Sequence, residues 1–328
     1  MRIPADELLD PELLALLDRM PCTAGRPRVV EDLPGGLTNR NLKVSTPAGA
    51  VVVRLSAGAT SLLAIDRDNE HANTRAAAAT GVGAPVLDYL PGEGVLVVGF
   101  LPGRTLTSND LADPALLGRV ARSCRTLHAG PRFVADFDML DIQRRYLRIV
   151  REHGFRLPSR YLEFAPALER IEHALAVRRE PTVPCHNDLL AANLIDDGQQ
   201  IWIIDYEYSG NNDACFELGN IWSEAGLSVD HLEELVGQYY GRTLRNKLAR
   251  ARLFGLMSQY GWTLWASIQH SASIQHSASI QHSASIQHSA STVDFDFWSW
   301  GMEKYDRAVA EFTSPDFEHL LQDVQRTD

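Results

Sequence analysis

The pattern of hydrophobic and polar positions divides the chain into a first part of short strands and a second part of helices. Three β-prone runs, RVVEDL, NRNLKVST and AVVVRLSA, follow one another with PGGLT and PAG between them, which is typical of consecutive antiparallel strands. The alanine-rich segment DRDNEHANTRAAAAT then predicts a helix that ends at Gly81 and Gly83. Two more β-prone runs, around VLDYL and GVLVVGF, complete a small sheet.

Helical periodicity dominates after LPGRT. Apolar residues recur at helical spacing in DPALLGRVARSCRTLH, DIQRRYLRIVREHG and SRYLEFAPALERIEHALAVRRE, and strand patterns return briefly in NLIDD and IWIIDYEY. A short leading helix in DPELLALLDRM, with Asp10 as N-cap and Pro11 at its first position, precedes the sheet. We therefore predict an α+β fold with two lobes, a small antiparallel-sheet lobe over residues 1–102 and a larger helical lobe over residues 103–328.

A low-complexity repeat interrupts the helical part. The hexapeptide SIQHSA occurs four times from Ser267 to Ala290. On a helix, a six-residue step rotates each isoleucine by about 240°, so the four isoleucines form no common face. Residues 267–290 are therefore predicted to be an expanded loop between two helices. A physiological metal site on the four histidines is disfavoured.

Composition and charge limit the possible partners. The chain has 328 residues, 45% of them hydrophobic, and a formal net charge of −11, which argues against a nucleic-acid-binding surface and suits a small cationic substrate. The four cysteines show no paired spacing, so no disulfide framework or zinc site is predicted and a reducing cytoplasm is expected. The N-terminal segment lacks the pattern of a signal peptide, and no apolar run has the length of a membrane span.

The segment CHNDLLAANLIDDGQQIWIIDYEY carries the most chemical information. Phosphoryl transfer from ATP needs one carboxylate facing the acceptor hydroxyl, and a carboxylate with an amide oxygen to hold Mg²⁺ on the phosphates. Asp188 and Asn193 lie on one predicted loop, and Asp205 ends the apolar strand that follows the DDGQQ turn. The alternative is a polar turn before a hairpin. The aspartate at the strand end and the order of the two lobes favour the phosphoryl-transfer site.

Three segments resemble motifs of the choline/ethanolamine kinase family: HNDLLAANLI, IIDYEYSGNNDACFELGN and LPGGLTNRNLKV. The resemblance covers almost the whole chain apart from the leading helix and the repeat. It implies a protein-kinase-like fold in which Asp188 is the catalytic base and Asn193 and Asp205 bind Mg²⁺. His186 is implied to brace the loop. The sequence departs from the family where AAN lacks a glycine and where Tyr206 replaces a phenylalanine.

The resemblance makes residues 1–102 a nucleotide-binding lobe. The glycines of PGGLTNRN allow backbone N–H groups to approach phosphate oxygens, and the next polar residues add side-chain donors. The predicted phosphate-binding residues of this hairpin are Gly35, Gly36, Thr38 and Asn39. Taken alone, a Gly-Gly hairpin is more often an ordinary turn.

None of the three lysines of the chain fits the position of the lysine that kinases usually carry on the third strand. The resemblance places Arg54 there, because the family commonly uses arginine at that position. A guanidinium can bridge the nucleotide phosphates while it pairs with a helix carboxylate, and Glu70 is the predicted partner. The segment VVGFLPGRT resembles the hinge at which the backbone around Phe100 and Leu101 contacts the adenine.

Four of the six tryptophans flank the repeat. Trp262 and Trp265 share one helix face at i and i+3, a spacing that is more common in a core than in a ligand cage. The resemblance implies that both tryptophans belong to an aromatic box around a trimethylammonium group. Trp300 is implied to be the third aromatic residue of this box, because removing three hexads of the repeat brings it to the family's position. The resemblance leaves Trp298 as a core residue.

Two acidic residues complete the predicted acceptor pocket. Glu207 and Glu224 resemble positions that line the amino-alcohol pocket of the family, where they would hold a cation while its hydroxyl faces Asp188. The sequence thus predicts an ATP- and Mg²⁺-dependent kinase of a small amino alcohol, with choline favoured over ethanolamine. The alternatives are an aminoglycoside or other hydroxyl-compound phosphotransferase on the same fold, and a nucleotide-binding pseudokinase that acts as an interaction protein.

Overall fold

The computed structural model describes residues 10–33, 39–56, 62–63, 65–282 and 295–327. Helix α1 (Pro11–Asp18) begins as predicted, because the Asp10 carboxylate accepts a hydrogen bond from the Glu12 N–H at 3.1 Å and Pro11 occupies the first turn.

A five-stranded antiparallel sheet follows α1, with the strand order β1-β2-β3-β5-β4. Its strands are β1 (Val29–Leu33), β2 (Asn39–Thr46), β3 (Gly49–Ser56), β4 (Val86–Leu90) and β5 (Val95–Gly99). Alternate residues of the central strands face α1, so that Leu42 and Val53 are buried against Leu17. Helix α2 (Arg67–Ala79) crosses between β3 and β4, as the alanine-rich segment predicts.

The rest of the chain is mainly helical. Its helices are α3 (Pro114–His128), α4 (Met139–Glu152), α5 (Ala165–Val177), α6 (Ala214–Ala225), α7 (Val229–Tyr240), α8 (Arg245–His282), α9 (Phe297–Phe312) and α10 (Asp316–Asp323). Within the described residues, no helix combines the length and the apolar character that crossing a bilayer requires.

Two small sheets connect the helices and carry the loop of the HNDLLAANLI segment. In one, β7 (Thr182–Cys185) pairs with β10 (Gly210–Asp213); in the other, β8 (Leu194–Asp196) pairs with β6 (Arg104–Thr105) and β9 (Ile201–Ile203). The strand pattern in NLIDD and IWIIDYEY is therefore confirmed. The domain boundary near Pro102 stays a prediction.

Helices α6 and α8 approach closely at two glycines. A Cβ at Gly219 would collide with the carbonyl oxygen of Ala251, and a Cβ at Gly255 would lie 2.7 Å from the carbonyl oxygen of Gly219. Only glycine permits this backbone contact. The contact holds α6 against the longest helix of the protein, and α6 in turn supports the loop of the candidate site.

Two sequence-based expectations for the tryptophan region are wrong. Helix α8 continues to His282, so the first part of the repeat is helical and not a loop; Ile268, in the first hexad, is 1% exposed and anchors this extension in the core. The residues from 283 to 294 lie outside the described part. Trp298 is half-buried at the surface rather than in the core, with the Arg156 guanidinium 3.8 Å from its ring centroid.

Gly219→Ala is expected to lower the free energy of unfolding by about 1–3 kcal/mol, because the added methyl group over-packs the contact between α6 and α8. Gly237→Ala in α7 is the matched control, since a Cβ there meets its nearest atom, Thr243 Oγ1, at an ordinary 3.6 Å. Alanine at this helical position is expected to be neutral or to stabilise by up to about 1 kcal/mol. Urea unfolding measures both values, and equal effects would contradict the packing argument.

Candidate active site

The loop between β7 and β8 is braced by His186. Its Nδ1 accepts the backbone N–H of Asp188 at 3.3 Å, and its Nε2 then carries the proton that it donates to the carbonyl oxygen of Ile204 at 2.8 Å. The ring is buried and joins the loop to the segment that leads to Asp205. This position agrees with the bracing role that the family resemblance implies for His186.

A buried carboxylate of α6 holds the start of the loop. Glu217, 0% exposed, accepts the backbone N–H groups of His186 and Asn187 at 2.7 and 2.8 Å. Burial raises the pKa of Glu217, but the hydrogen bond and charge of His128 and the bond from the His186 N–H outweigh it, so the pKa lies below its usual range. The carboxylate stays ionised, and a charged acceptor makes both loop hydrogen bonds strong. Sequence analysis missed Glu217.

Asn187 turns the chain towards the site. Its φ of 67° is a left-handed conformation that few residues other than glycine adopt. The side chain fixes this turn, since Nδ2 donates to the carbonyl oxygens of Cys185, Tyr208 and Gly210 at 3.1 to 3.2 Å. Strain of this kind persists where the surroundings over-determine the backbone, which is common at functional sites.

Asp188, the predicted base, lies in an acidic environment. Burial raises its pKa well above the usual range, and the negative charges of Glu224, Asp205 and Glu207 raise it further, whereas Lys304 lowers it. Asp188 is therefore within electrostatic reach of the predicted metal carboxylate and of both predicted substrate carboxylates. A carboxylate with a raised pKa is a better proton acceptor than a solvated one.

Asn193 and Asp205 are joined across the neighbouring strands. The Ile204 N–H donates to the Asn193 carbonyl oxygen at 3.0 Å, while the Asn193 Nδ2 donates to the Asp188 carbonyl oxygen at 2.9 Å. This second bond leaves the amide oxygen of Asn193 as an available acceptor. Asp205 has a φ of 71°, the second strained turn of the site. An amide oxygen and a carboxylate are ligands that Mg²⁺ accepts, so these two residues fit a magnesium site.

Arg54 connects the sheet to this pair. Its guanidinium, buried on β3, lies 2.7 Å from Glu70 Oε1, 2.8 Å from Asp205 Oδ1 and 3.3 Å from Glu207 Oε1. The predicted partner Glu70 is thus in contact with Arg54. Three carboxylates raise the pKa of Arg54 although burial opposes this, so the guanidinium is permanently charged.

A second arginine, Arg67, extends the cluster and was missed by sequence analysis. Its Nη1 lies 2.6 Å from both Glu70 Oε2 and Glu207 Oε1, and its Nη2 donates to Asn39 Oδ1 at 3.3 Å. Asn39, from the predicted phosphate hairpin, donates to Glu207 Oε1 at 3.2 Å. The spacing of Arg67 and Glu70, at i and i+3 on α2, was the available signal. Glu207 thus pairs with arginines, while its predicted contact with substrate stays untested.

Some of the other predicted nucleotide-binding residues lie outside the part of the chain that the structure describes. Gly35, Gly36 and Thr38 lie among residues that the structure does not describe. At the hinge, the Phe100 N–H donates to the carbonyl oxygen of Ala50 at 3.2 Å, so it belongs to the sheet rather than facing a ligand. The groups left for the predicted adenine contact are the Phe100 carbonyl and the Leu101 backbone. This contact stays a prediction.

The predicted aromatic residues do come together. Trp262 and Trp265 are only 3% and 6% exposed, and both contact Tyr208: the Trp262 ring lies edge-on at 4.9 Å, and the Trp265 indole donates to the Tyr208 hydroxyl at 2.8 Å. Trp300 meets Trp265 edge-on at 5.5 Å. Sequence analysis missed Tyr208.

Glu224 is already paired. Its Oε2 lies 2.5 Å from Lys304 Nζ, and the Lys304 ammonium also lies 4.1 Å from the centroid of the Trp300 ring. In the sequence, Lys304 does not fit the position of the third-strand lysine of kinases, and no other role is predicted for it. Its place four residues after Trp300 on α9 was the signal, since residues at i and i+4 share a helix face.

The two lobes and the braced loop define a kinase-like phosphotransferase with an alcohol group as acceptor. The chain belongs to the choline/ethanolamine kinase family, which it matches over residues 30–240. It is 27% identical over 314 residues to ethanolamine kinase 1 of Mus musculus, a match that covers 83% of this chain and 80% of that protein. It is 27% identical over 251 residues to protein LicA of Haemophilus influenzae, which covers 72% of each chain.

A solved structure supports the same conclusion. The crystal structure of a choline/ethanolamine kinase family protein from Mesorhizobium loti superposes with a TM-score of 0.80 at 28% identity, over 96% of this chain and 98% of that chain. The predicted two-lobed, protein-kinase-like α+β fold is confirmed.

Glu217→Gln is expected to lower the free energy of unfolding by about 2–3 kcal/mol, because a glutamine side chain has one acceptor oxygen for two buried N–H groups. Glu233→Gln, at an exposed position of α7, is the control and is expected to change stability by less than about 0.5 kcal/mol. Chemical denaturation of both variants tests this difference. Indistinguishable stabilities would show that Glu217 does not hold the loop.

Proposed function

We propose that the protein transfers the γ-phosphate of ATP to the hydroxyl group of a small amino alcohol, with Mg²⁺ as the required metal. The observation that carries this proposal is the 2.8 Å ion pair between Arg54 and Asp205. It joins β3 of the five-stranded sheet to the carboxylate that fits a metal, at the place where phosphates of a nucleotide would lie.

On the nucleotide side, Arg54 binds the phosphates. Its guanidinium has five N–H donors, and within the described residues neither Nε nor Nη2 makes a hydrogen bond of good geometry, although Nη2 lies near Glu207. Glu70 keeps the guanidinium oriented. Asn193 and Asp205 would hold Mg²⁺, which when bound neutralises the charge on the transferring phosphate.

On the acceptor side, Asp188 orients the hydroxyl and accepts its proton. His186 and Glu217 fix the backbone around Asp188, so little reorganisation is needed when the hydroxyl arrives. The surrounding carboxylates favour a cationic acceptor, because each of them attracts an ammonium group. These features support an amino alcohol over a neutral alcohol.

We propose ethanolamine rather than choline as the preferred acceptor. The sequence favours choline because of a predicted aromatic box, but Trp262 and Trp265 are nearly buried and the Lys304 ammonium lies over the Trp300 ring. A primary ammonium needs hydrogen-bond acceptors rather than aromatic faces, and Glu224 provides one. The name of the mouse relative, ethanolamine kinase 1, agrees with this choice.

The proposal is tested by phosphate transfer from ATP to ethanolamine, choline and an aminoglycoside. Asp188→Asn is expected to lower kcat by about 10² or more while nucleotide binding and melting temperature are retained, because only the proton acceptor is lost. The exposed Asp230→Asn on α7 is the control. If the wild-type protein phosphorylates none of the three acceptors, the pseudokinase alternative is favoured. If the rate of Asp188→Asn lies within about fivefold of wild type, Asp188 is not the base.

Arg54→Ala is expected to raise KM for ATP about tenfold or more and to lower kcat, because the phosphates lose a bidentate partner. Arg54→Lys is expected to recover part of both, since it restores the charge but not the two-pronged geometry. Arg40→Ala, at an exposed pair with Asp32 on the same sheet, serves as the control. Steady-state kinetics against ATP decide the matter. Wild-type kinetics in Arg54→Ala and Arg54→Lys would refute the clamp.

A further inference from the structure

The predicted acceptor site already contains an ammonium group that belongs to the protein. Lys304 is 4% exposed, and its Nζ makes a 2.5 Å ion pair with Glu224 Oε2 while it lies 4.1 Å from the centroid of the Trp300 ring. A carboxylate and an aromatic face are the two partners that a bound organic cation uses. Lys304 therefore makes with the protein the contacts that a substrate cation would make.

Helix packing keeps Lys304 in this position. Gly301 lies one turn before it on α9, and a Cβ there would stand 2.5 Å from the Cβ of Ala266 on α8. Because the two helices approach so closely at Gly301, the face of α9 that carries Trp300 and Lys304 is pressed against α8. The lysine side chain is thereby directed at Glu224, in the last turn of α6.

One oxygen of Glu224 remains available. Glu224 is 4% exposed at its side chain, and its Oε1 is buried with no hydrogen-bond partner within the described residues. A primary ammonium can donate one N–H to this oxygen beside Lys304. A quaternary ammonium has no N–H to donate, is wider by its methyl groups and needs the aromatic face that Lys304 covers.

We propose that Lys304 is a specificity-determining residue of the acceptor pocket: its side chain occupies the quaternary-ammonium position at Glu224 and Trp300 and leaves a single carboxylate oxygen for a primary amine. This inference rests on the proposed function, of which it is the structural basis for preferring ethanolamine to choline. Without the Lys304 ammonium, the same pocket offers choline a carboxylate and an aromatic face.

The test compares Lys304→Met with Lys247→Met. Lys247 is a matched control, because it also pairs with a glutamate, Glu180, at 2.6 Å and lies 5.4 Å from the ring centroid of Tyr240, outside the proposed site. Lys304→Met is expected to lower KM for choline about tenfold and to raise the choline-to-ethanolamine ratio of kcat/KM by at least that factor. Lys247→Met is expected to leave the ratio as in wild type.

Two further measurements keep the test decisive. Lys304→Gln retains a hydrogen-bond donor for Glu224, so it carries the test if Lys304→Met fails to fold. Calorimetric titration with tetramethylammonium needs no catalysis and is expected to show binding to the Lys304 variants that wild type and Lys247→Met lack.

The outcomes separate the two proposals. A wild-type protein that phosphorylates neither amino alcohol overturns the proposed function. Tetramethylammonium binding then still shows whether Lys304 occupies the quaternary-ammonium position. An active wild type whose acceptor ratio changes by less than twofold in both Lys304 variants overturns the role of Lys304 alone. A gain in tetramethylammonium binding and in the choline ratio, confined to the Lys304 variants, supports it.

Discussion

The buried guanidinium of Arg54 is the constraint on which the site depends. A buried charge is stable only when opposite charges compensate for the lost water. The Arg54 guanidinium is paired with Glu70 from α2 and with Asp205 and Glu207 from the segment after β9. Arg67 adds a second cation, so two positive groups face three negative ones. The sheet, α2 and the segment after β9 are therefore held together by one cluster. Its remaining negative charge favours the approach of a cation such as Mg²⁺.

A second framework holds the loop between β7 and β8, and it is made of buried hydrogen bonds rather than exposed contacts. Glu217 binds the backbone of His186 and Asn187, and one turn later Asn220 accepts the Leu189 N–H at 2.7 Å. Both acceptors project from the same face of α6, whose position depends on the glycine contact with α8. Packing far from the chemistry thus determines where Asp188 lies, which explains why two strained turns can persist beside it.

Much of the site could be anticipated because its chemistry is local in sequence. Asp188, Asn193 and Asp205 are predicted from their spacing around a loop and a strand end, and Arg54 from the family resemblance at the third strand. Glu217 could not be identified in this way, since a bond to a loop on another element leaves no periodic signal. For Lys304 the helical spacing from Trp300 is visible, but its ion pair with Glu224, 80 residues away, is not. The same reason explains the errors at the repeat and at Trp298, because the burial of Ile268 and the half-burial of Trp298 depend on which helices meet.

By itself, the sequence determined the order of strands and helices outside the repeat, and the motifs that point to a kinase. These properties follow from hydrophobic periodicity, turn chemistry and side-chain type, which act over a few residues. Only the tertiary structure decided how the charges are paired. Partners of a buried charge are chosen by distance in space and by the cost of leaving either charge unpaired, and neither quantity is contained in local sequence.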